Sequence, residues 1–545
     1  MKRSNIFLIL ILILAFLLRF FYFGEIPKGF SSDEAAIGYN AYSILKTGKD
    51  EYGNFLPLSF KSFGEYKAPL YIYATIPFIA VFGLSEFATR LPAAIFGGLT
   101  VIVVYILIKK LFKNENLGLV AAFLLAISPW HLQYTRIAYE GSLALFLLSL
   151  GILFLLQGFE RKHFYYLCAV SFALTAYSHF TVRVFIPLLI IALVSIYWHN
   201  IMRTKKEVII SGLIALVLIF PLLSDLFSPA GLTRAKYISL FTDKGQLSAI
   251  EQKQSEHLWS NQQQGFFAKV LHNKFTEYSS KFIGNYLAHF DFSFLFIKGD
   301  DSQFFKTPDS GLLLLVFLPF LLFGFYQLFH MQYIQKGIIL CWLFLAPVSS
   351  ALTRLNASSN RAFIMVLPIT IIITLGVIAA LSAIKRGYRK FLLIILVSVI
   401  VLEYIFYLDN YYIHLSLRYV RDTFTVTKNT VLTIKSLQNK YQQVWITHKL
   451  GGYIHLLFYL QYPAAVYQKQ AQLGPLNEYG FGEVSGFDKY KFTALPQYFD
   501  FSQNLLYVVT PEELPNGVIP LRKVIYPDGS DAFVLFDTSQ LQNKK

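Results

Sequence analysis

Two adjacent carboxylates, Asp33 and Glu34, follow the first long apolar run of the chain, which covers Ile6–Leu18. A carboxylate placed beside a bound hydroxyl can act as a general base, because it accepts the proton as the oxygen attacks. The sequence Ser31-Ser-Asp-Glu also has the form of a helix start, in which these residues would cap and solvate the first turn. The pair is our candidate catalytic site, with helix capping as a simpler role that is compatible with catalysis.

Cationic side chains near the ends of apolar runs are candidates for binding a phosphate group. Lys67 begins an aromatic-rich apolar segment, where it could hold a phosphate as a point charge or serve as a snorkelling anchor. Arg136 stands four residues before Glu140, so the two could form a helical ion pair, or the arginine could present its fork to a phosphate. Two further arginines in or beside short loops, Arg183 and Arg361, complete the predicted phosphate-binding set.

Four side chains are candidates for lining a substrate groove, namely His131, His179, Glu140 and His257. The segment 227–308, which contains His257, is too long for a simple connection and contains several His and Asp residues. These side chains could hold a divalent metal, but no tight ligand spacing such as His-x-x-x-His occurs among them. We therefore assign no metal ligand and no certain cofactor, and leave open whether a divalent metal takes part.

The composition predicts that membrane-spanning helices position these side chains. Of 545 residues, 55% are hydrophobic and only 15% are charged, whereas soluble globular chains carry roughly 25% charged residues. Many apolar runs approach the roughly 20 residues needed to cross a bilayer. The basic residues behind the net charge of +16 cluster at the ends of these runs, which indicates contact with anionic membrane lipids and not with nucleic acid.

The distribution of Lys and Arg predicts the topology. We treat the apolar run 68–84 as an interfacial or re-entrant segment, because every basic loop then falls on the N-terminal side of the membrane. This gives about eleven spans in the plasma membrane, with a cytoplasmic N-terminus and an extracytoplasmic C-terminus. The basic loops that decide the matter are Lys109–Lys113, Arg161–Lys162, Arg203–Lys206 and Lys385–Lys390.

The chain changes character near residue 409. Apolar runs shorten to strand length at Val444-Trp-Ile-Thr and Leu505-Leu-Tyr-Val-Val-Thr, and helical periodicity appears around Thr430–Tyr441. A hairpin is indicated by Pro527-Asp-Gly-Ser between two apolar runs. We predict a transmembrane domain over 1–408, with outer loops 24–88 and 227–308, and a small extracytoplasmic α/β domain over 409–545.

Four motifs follow one another along the chain, namely Asp33-Glu34, Lys67-Ala-Pro-Leu-Tyr, Phe87-Ala-Thr-Arg-Leu-Pro-Ala-Ala-Ile-Phe-Gly and Arg136-Ile-Ala-Tyr-Glu-Gly-Ser-Leu. Together, in this order, they resemble the superfamily of protein O-mannosyltransferases and aminoarabinose (lipid A) transferases, whose members have the GT-C glycosyltransferase fold. The resemblance covers roughly residues 1–410.

The resemblance implies a hexosyl- or pentosyltransferase that takes its sugar from a polyprenyl-phosphate donor. The acceptor would be a hydroxyl on a protein, lipid or glycan at the outer face. The family's first-loop aspartate maps onto Asp33 as general base, and the lysine of its Lys-Pro-Pro-like motif maps onto Lys67. The family often has Glu-Lys-Pro-Pro, whereas this chain has Glu65-Tyr-Lys67-Ala-Pro69, so Glu65 is displaced by one residue.

Other functions remain open from the sequence. An O-antigen-ligase-like transferase with a pyrophosphate-linked donor would share the topology and the cationic loops. A transporter or flippase for lipid-linked sugars would carry ionisable residues inside its spans, broken helices and paired repeats, of which the sequence shows almost none. A membrane scaffold without activity is the simplest alternative.

Overall fold

The computed structural model describes residues 3–62, 65–228, 231, 236–259, 265–476, 482–493, 495 and 503–542. The chain divides into two compact units. The first unit contains residues 1–13, 100–131 and 144–405, and the second contains residues 14–99, 132–143 and 406–545. Residues 406–545 thus group with two earlier segments, 14–99 and 132–143. The domain boundary that we predict between residues 408 and 409 stays a prediction.

Helices make up most of the described chain, and many of them are apolar. Seven of them are long and apolar enough to cross a membrane: Arg3–Phe20, Glu86–Phe112, Glu140–Gly158, Lys205–Leu226, Tyr333–Ala351, Phe363–Ala383 and Arg386–Arg418. Five shorter apolar helices accompany them, and one of these is Pro69–Phe82 within the run 68–84. At 14 residues this helix is shorter than the roughly 20 residues of a full crossing. The number of spans, about eleven, stays a prediction.

The α-helices are numbered in chain order. Those before residue 230 are α1 Arg3–Phe20, α2 Ser32–Thr47, α3 Pro69–Phe82, α4 Glu86–Phe112, α5 Glu115–Ala126, α6 Pro129–Tyr134, α7 Glu140–Gly158, α8 Phe164–Ser178, α9 Phe180–Ile196, α10 Trp198–Arg203 and α11 Lys205–Leu226. Those after it are α12 Lys244–Trp259, α13 Gly265–Leu271, α14 Lys274–Ala288, α15 Leu318–Phe329, α16 Tyr333–Leu345, α17 Val348–Ala351, α18 Val366–Ala383, α19 Arg386–Asp409, α20 Leu415–Arg418, α21 Thr427–Leu437, α22 Tyr453–Leu460, α23 Ala464–Gln470 and α24 Thr538–Gln542.

Within the first unit, α15 and α18 pack so closely that glycine is required at their contact. A β-carbon at Gly324 would lie 1.9 Å from the carbonyl oxygen of Ile372, and one at Gly376 would lie 1.9 Å from that of Phe320. Helices in a membrane gain little from apolar burial between them, so small residues that allow close backbone contact are what hold such pairs together.

Within the second unit, helix α2 is fixed at both ends and along one face. Ser31 and Glu34 form a capping box, in which each side chain accepts a hydrogen bond from the other residue's backbone N–H. Gly48 ends the helix in the left-handed region, at φ 70°. A β-carbon at Gly38 would lie 2.5 Å from Thr89 Oγ1 and 2.6 Å from the Phe458 ring. The first turn of α2, which carries Asp33 and Glu34, is therefore held in one position.

The second unit also contains both described sheets. The strands are β1 Phe60–Ser62, β2 Glu65–Lys67, β3 Gln443–Ile446, β4 Gln472–Leu476, β5 Gly482–Phe487, β6 Tyr490–Phe492, β7 Leu505–Val509, β8 Arg522–Ile525 and β9 Asp531–Asp537. The hairpin β1–β2 precedes α3, and a seven-stranded mixed sheet has the order β4-β5-β6-β3-β7-β9-β8, in which only β3 runs parallel to its neighbours on both sides. The predicted strands at Val444 and Leu505 and the predicted hairpin around Pro527–Ser530 are confirmed.

Candidate functional site

Asp33 and Lys67 form an ion pair in the second unit. Lys67 ends strand β2, and its Nζ lies 2.6 Å from Oδ1 of Asp33 in the first turn of α2. The lysine side chain is 5% exposed, whereas the aspartate side chain is 59% exposed. The carboxylate is thus open to an incoming group while the ammonium is held in the protein. A proton acceptor and a cation that can attract phosphate lie side by side.

Glu34, the neighbour of Asp33, points into the protein and pairs with Arg90 of α4. Arg90 Nε lies 2.8 Å from Glu34 Oε1, and its Nη2 lies 3.0 Å from Oε2, while both side chains are buried. The same carboxylate accepts the backbone N–H groups of Ser31 and Ala138. Both oxygens of Glu34 therefore accept hydrogen bonds from within the protein. These contacts suit a residue that holds its surroundings in position.

Arg90 also holds the chain that leads into α2. Its Nη1 donates to the carbonyl oxygen of Pro27 at 3.1 Å, and its Nη2 donates to that of Gly29 at 2.6 Å. Arg90 belongs to one of the four sequence motifs, but no role is predicted for it from the sequence. The sequence does contain a sign of a buried ion pair, because an arginine within a long apolar helix needs a partner for its charge.

Arg136 is fully buried and is engaged with backbone carbonyl groups. Two of these carbonyls lie in the last turn of α1, where helix carbonyls lack partners within the helix. The guanidinium group also faces the rings of Tyr411 and Tyr412, at 5.6 and 5.2 Å. Phosphate binding by Arg136 stays a prediction. The carbonyl oxygens that accept from its Nη atoms are those of Leu18 at 2.6 Å, Arg19 at 3.0 Å, Phe21 at 2.8 Å and Ile26 at 2.9 Å.

The backbone around Arg136 connects this arginine to Glu34. The N–H of Ala138 donates to Glu34 Oε1 at 2.8 Å, and Glu140 begins helix α7 two residues later. The segment 136–140 therefore contacts both the chain after α1 and the first turn of α2. Of the predicted site residues, those in the second unit are Asp33, Glu34, Lys67, Arg136 and Glu140.

The remaining candidates lie in the first unit. His179 separates α8 from α9, with its Nδ1 2.6 Å from Thr181 Oγ1. Arg183 Nε donates to Ala176 O at 3.1 Å, and its guanidinium lies 4.0 Å from the centre of the Phe180 ring. Both side chains therefore lie at the turn that connects α8 to α9. Their roles in phosphate or substrate binding stay predictions.

His131, Arg361 and His257 are also in the first unit. His131 is fully buried and stacks on Phe363, with ring centres 5.9 Å apart. Arg361 Nη1 donates to Thr353 Oγ1 at 2.7 Å. His257 lies in α12, with its ring centre 5.2 Å from that of His272. Their predicted roles at a groove or a phosphate stay predictions. Over the described residues, no three or more His, Cys, Asp or Glu side chains are grouped to hold a metal ion.

Comparisons with known proteins give one family match, over part of the chain, and one shared fold. Residues 66–224 match the family described as dolichyl-phosphate-mannose-protein mannosyltransferase. No curated protein matches the sequence. The crystal structure of ArnT from Cupriavidus metallidurans in the apo state is 12% identical, with a TM-score of 0.54 over 98% of this chain and 97% of that one. ArnT from the same organism bound to undecaprenyl phosphate gives 12% and 0.53 over the same shares. The oligosaccharyltransferase from Archaeoglobus fulgidus is 12% identical, with a TM-score of 0.49 over 84% of this chain and 63% of that one.

The ArnT comparison confirms the fold that the sequence motifs imply. The similarity extends over nearly the whole length of both chains, and it includes the small C-terminal sheet region as well as the helices. The family match includes Lys67, Arg90, Arg136 and Arg183 and begins after Asp33. The chain is a multi-pass membrane protein with the GT-C fold, similar in sequence over residues 66–224 to protein mannosyltransferases.

Proposed function

We propose that this protein is a membrane glycosyltransferase that moves a sugar from a polyprenyl-phosphate donor to a hydroxyl acceptor on the extracytoplasmic side. One observation carries the proposal, namely the exposed carboxylate of Asp33 in contact with the buried ammonium group of Lys67. The mannosyltransferase family match and the fold shared with ArnT support it. An ArnT structure bound to undecaprenyl phosphate supports a polyprenyl phosphate as the lipid part of the donor.

In the proposed reaction, Asp33 accepts the proton of the acceptor hydroxyl as its oxygen attacks the anomeric carbon. A new glycosidic bond forms, and the bond from the anomeric carbon to the phosphate oxygen breaks. Attack from the face opposite the phosphate inverts the anomeric centre. The leaving polyprenyl phosphate gains a negative charge, which the ammonium group of Lys67 stabilises.

The Asp33–Lys67 contact gives this reaction an order of events. Before the donor binds, the two charges neutralise each other at 2.6 Å. A phosphate that binds Lys67 competes with Asp33 for the ammonium, so the carboxylate becomes available to the acceptor hydroxyl. Binding of the donor therefore activates the base. The side chain of Lys67 is long and flexible, and its ammonium group is a point charge with no fixed donor plane. Both properties allow the ammonium to exchange the carboxylate for a phosphate.

Glu34, Arg90 and Arg136 position these groups in our proposal. Glu34 and Arg90 hold the first turn of α2 and the backbone of residues 27–29, and Arg136 holds the chain after α1. Arg183 and Arg361 are proposed as additional phosphate ligands. His131, His179, Glu140 and His257 are proposed to line the substrate groove.

The test is transfer from a panel of radiolabelled polyprenyl-phosphate sugars to crude envelope acceptor, with the purified wild type beside Asp33→Asn. Glu25→Gln is the control, because Glu25 is an exposed acid in the same segment. We expect transfer by the wild type and the control, and a loss of roughly 10²- to 10⁴-fold in Asp33→Asn. Absence of transfer from every donor by folded wild type would exclude the proposed function and favour a ligase-like or transport function.

A further inference from the structure

A second carboxyl group, that of Glu51, lies in the interior near the Asp33–Lys67 pair. Glu51 is 1% exposed, and its backbone N–H donates to Oδ1 of Asn40 at 3.0 Å. Asn40 is seven residues after Asp33 in α2, so the two occupy the same face of that helix, two turns apart. Lys67, the partner of Asp33, acts electrostatically on the Glu51 carboxyl. The site thus continues along α2 from Asp33 toward Glu51.

The hydrogen bonds of Glu51 leave one of its oxygens unused. Tyr453 of α22 donates its hydroxyl to Glu51 Oε1 at 3.1 Å. The hydroxyl of Tyr52 lies 2.9 Å from that of Tyr453. Asn40 Nδ2 donates to Ala36 O. In the part of the chain that the structure describes, Glu51 Oε2 is buried and has no hydrogen-bond partner.

The surroundings of Glu51 favour its neutral form. Burial, with a contribution from the negative charge of Asp50, raises the pKa of Glu51 to about 8. The hydrogen bonds with Tyr453 and Asn40 and the positive charge of Lys67 oppose this only in part. At neutral pH the carboxyl therefore carries a proton. Because Oε1 already accepts from Tyr453, that proton belongs on Oε2, where it is a donor in need of an acceptor. The titratable groups that act on Glu51 are Asp50, Lys67, Tyr39, Tyr52, Tyr453 and Tyr467.

We propose that Glu51 is a donor-binding residue, whose protonated carboxyl donates a hydrogen bond from Oε2 to a phosphate oxygen held by Lys67. This inference rests on the function proposed above. A phosphate is the expected acceptor because its oxygens carry charge, and hydrogen bonds to charged groups are the stronger ones. The protonated carboxyl adds a donor beside Lys67 without adding negative charge. An ionised Glu51 would instead repel the phosphate.

The test is the affinity for a polyprenyl-phosphate sugar measured between pH 6.5 and 9.5. The phosphodiester group does not titrate in that range, and the donor sugar is chosen without an amine or an acid, so a change in affinity reflects the protein. The variants are wild type, Glu51→Gln, Glu51→Leu and the control Glu25→Gln. The glutamine keeps an N–H donor and cannot ionise, whereas leucine removes the donor. Thermal unfolding of each variant checks that it is folded.

We expect the wild type and Glu25→Gln to lose roughly tenfold or more in affinity as the pH rises through about 8. Glu51→Gln should bind as the wild type does at pH 7 and show no such loss. Glu51→Leu should bind roughly tenfold more weakly at pH 7.

Three results would overturn the inference in distinguishable ways. If the wild type binds equally well at every pH, or if Glu51→Gln shows the same loss, Glu51 does not hold the phosphate but the proposed function stands. If a neutral alkyl glycoside shows the same Glu51-dependent loss, the group that Glu51 binds is a sugar hydroxyl. If the folded wild type binds no polyprenyl-phosphate sugar at any pH, the proposed function fails together with the inference.

Discussion

Glu34 and Arg90 form a charged pair that can hold Asp33, the base that we propose, in place. Both side chains are buried, and each satisfies the other with two short contacts. Removing one partner of a buried ion pair leaves an unpaired charge and typically costs about 3–5 kcal/mol. We therefore expect Arg90→Leu or Glu34→Leu to lower the unfolding temperature strongly, and the double variant to lose less than the sum. If the falls in unfolding temperature add up in the double variant, measured in detergent, the two side chains do not stabilise each other.

Glu51 predicts a dependence of stability on pH. Its pKa is raised from 4.5 to about 8 in the folded protein, so folding favours the protonated form. The stabilising contribution is complete below about pH 4.5 and is lost as the pH rises through about 8. We expect the unfolding temperature of the wild type to fall relative to that of Glu51→Gln between pH 5 and pH 8. Parallel curves for the two proteins would contradict this assignment.

The sequence suggests only some of the residues in our proposed site. Asp33, Glu34 and Lys67 are candidates from their types and positions and stay predictions, whereas the sequence assigns no role to Arg90 or Glu51. Glu51 stands in Lys49-Asp50-Glu51, a charged stretch typical of a solvated turn. It is buried there partly by Tyr453, which is 402 residues further along the chain. A local sequence pattern cannot reveal a contact between two residues that lie so far apart along the chain.

At the scale of elements, the α15–α18 contact makes a prediction about two glycines. Gly376→Ala would place a methyl group 1.9 Å from a backbone carbonyl oxygen, whereas Gly212→Ala in α11 meets nothing within 4 Å. We expect Gly376→Ala to destabilise the protein by about 1–3 kcal/mol, since the helices must move apart. Gly212→Ala should be neutral or slightly stabilising. Equal unfolding temperatures for the two variants would show that this contact is not tight.

Elements with strong local signals are predicted well, and elements defined by pairing are not. The capping box at Ser31, the hairpin β8–β9 and the strands β3 and β7 follow from their own sequences. The mixed order of the seven-stranded sheet does not, because β3 pairs with strands that come much later in the chain. The segment 227–308 is treated as a long loop, yet it contains the helices α12, α13 and α14.

At the scale of the whole molecule, a fold is shared with ArnT at 12% identity over nearly the full length. Membrane crossing constrains helix length and hydropathy and leaves most side chains free to vary, so a fold can persist while identity is low. The same low identity means that the sugar and the acceptor must be determined by experiment on this protein.

The predicted orientation of the molecule can be tested directly. From the positive-inside rule we predict that the basic segments lie in the cytoplasm and that the C-terminal sheet lies outside. We expect alkaline phosphatase fused after residue 542 to be active in intact cells, because this enzyme needs the oxidising extracytoplasmic side. A fusion after Lys113, between α4 and α5, should be inactive. The reverse pattern would contradict the topology and the proposed outer site.

We propose that Asp33 removes the acceptor proton while Lys67 holds the donor phosphate. Single-turnover transfer by the wild type and Asp33→Asn, with donor affinity measured in parallel, separates these two roles. We expect equal or tighter donor binding by Asp33→Asn, because Lys67 no longer has to leave a carboxylate, together with a roughly 10²- to 10⁴-fold slower transfer. Transfer at the wild-type rate in Asp33→Asn would contradict the proposal.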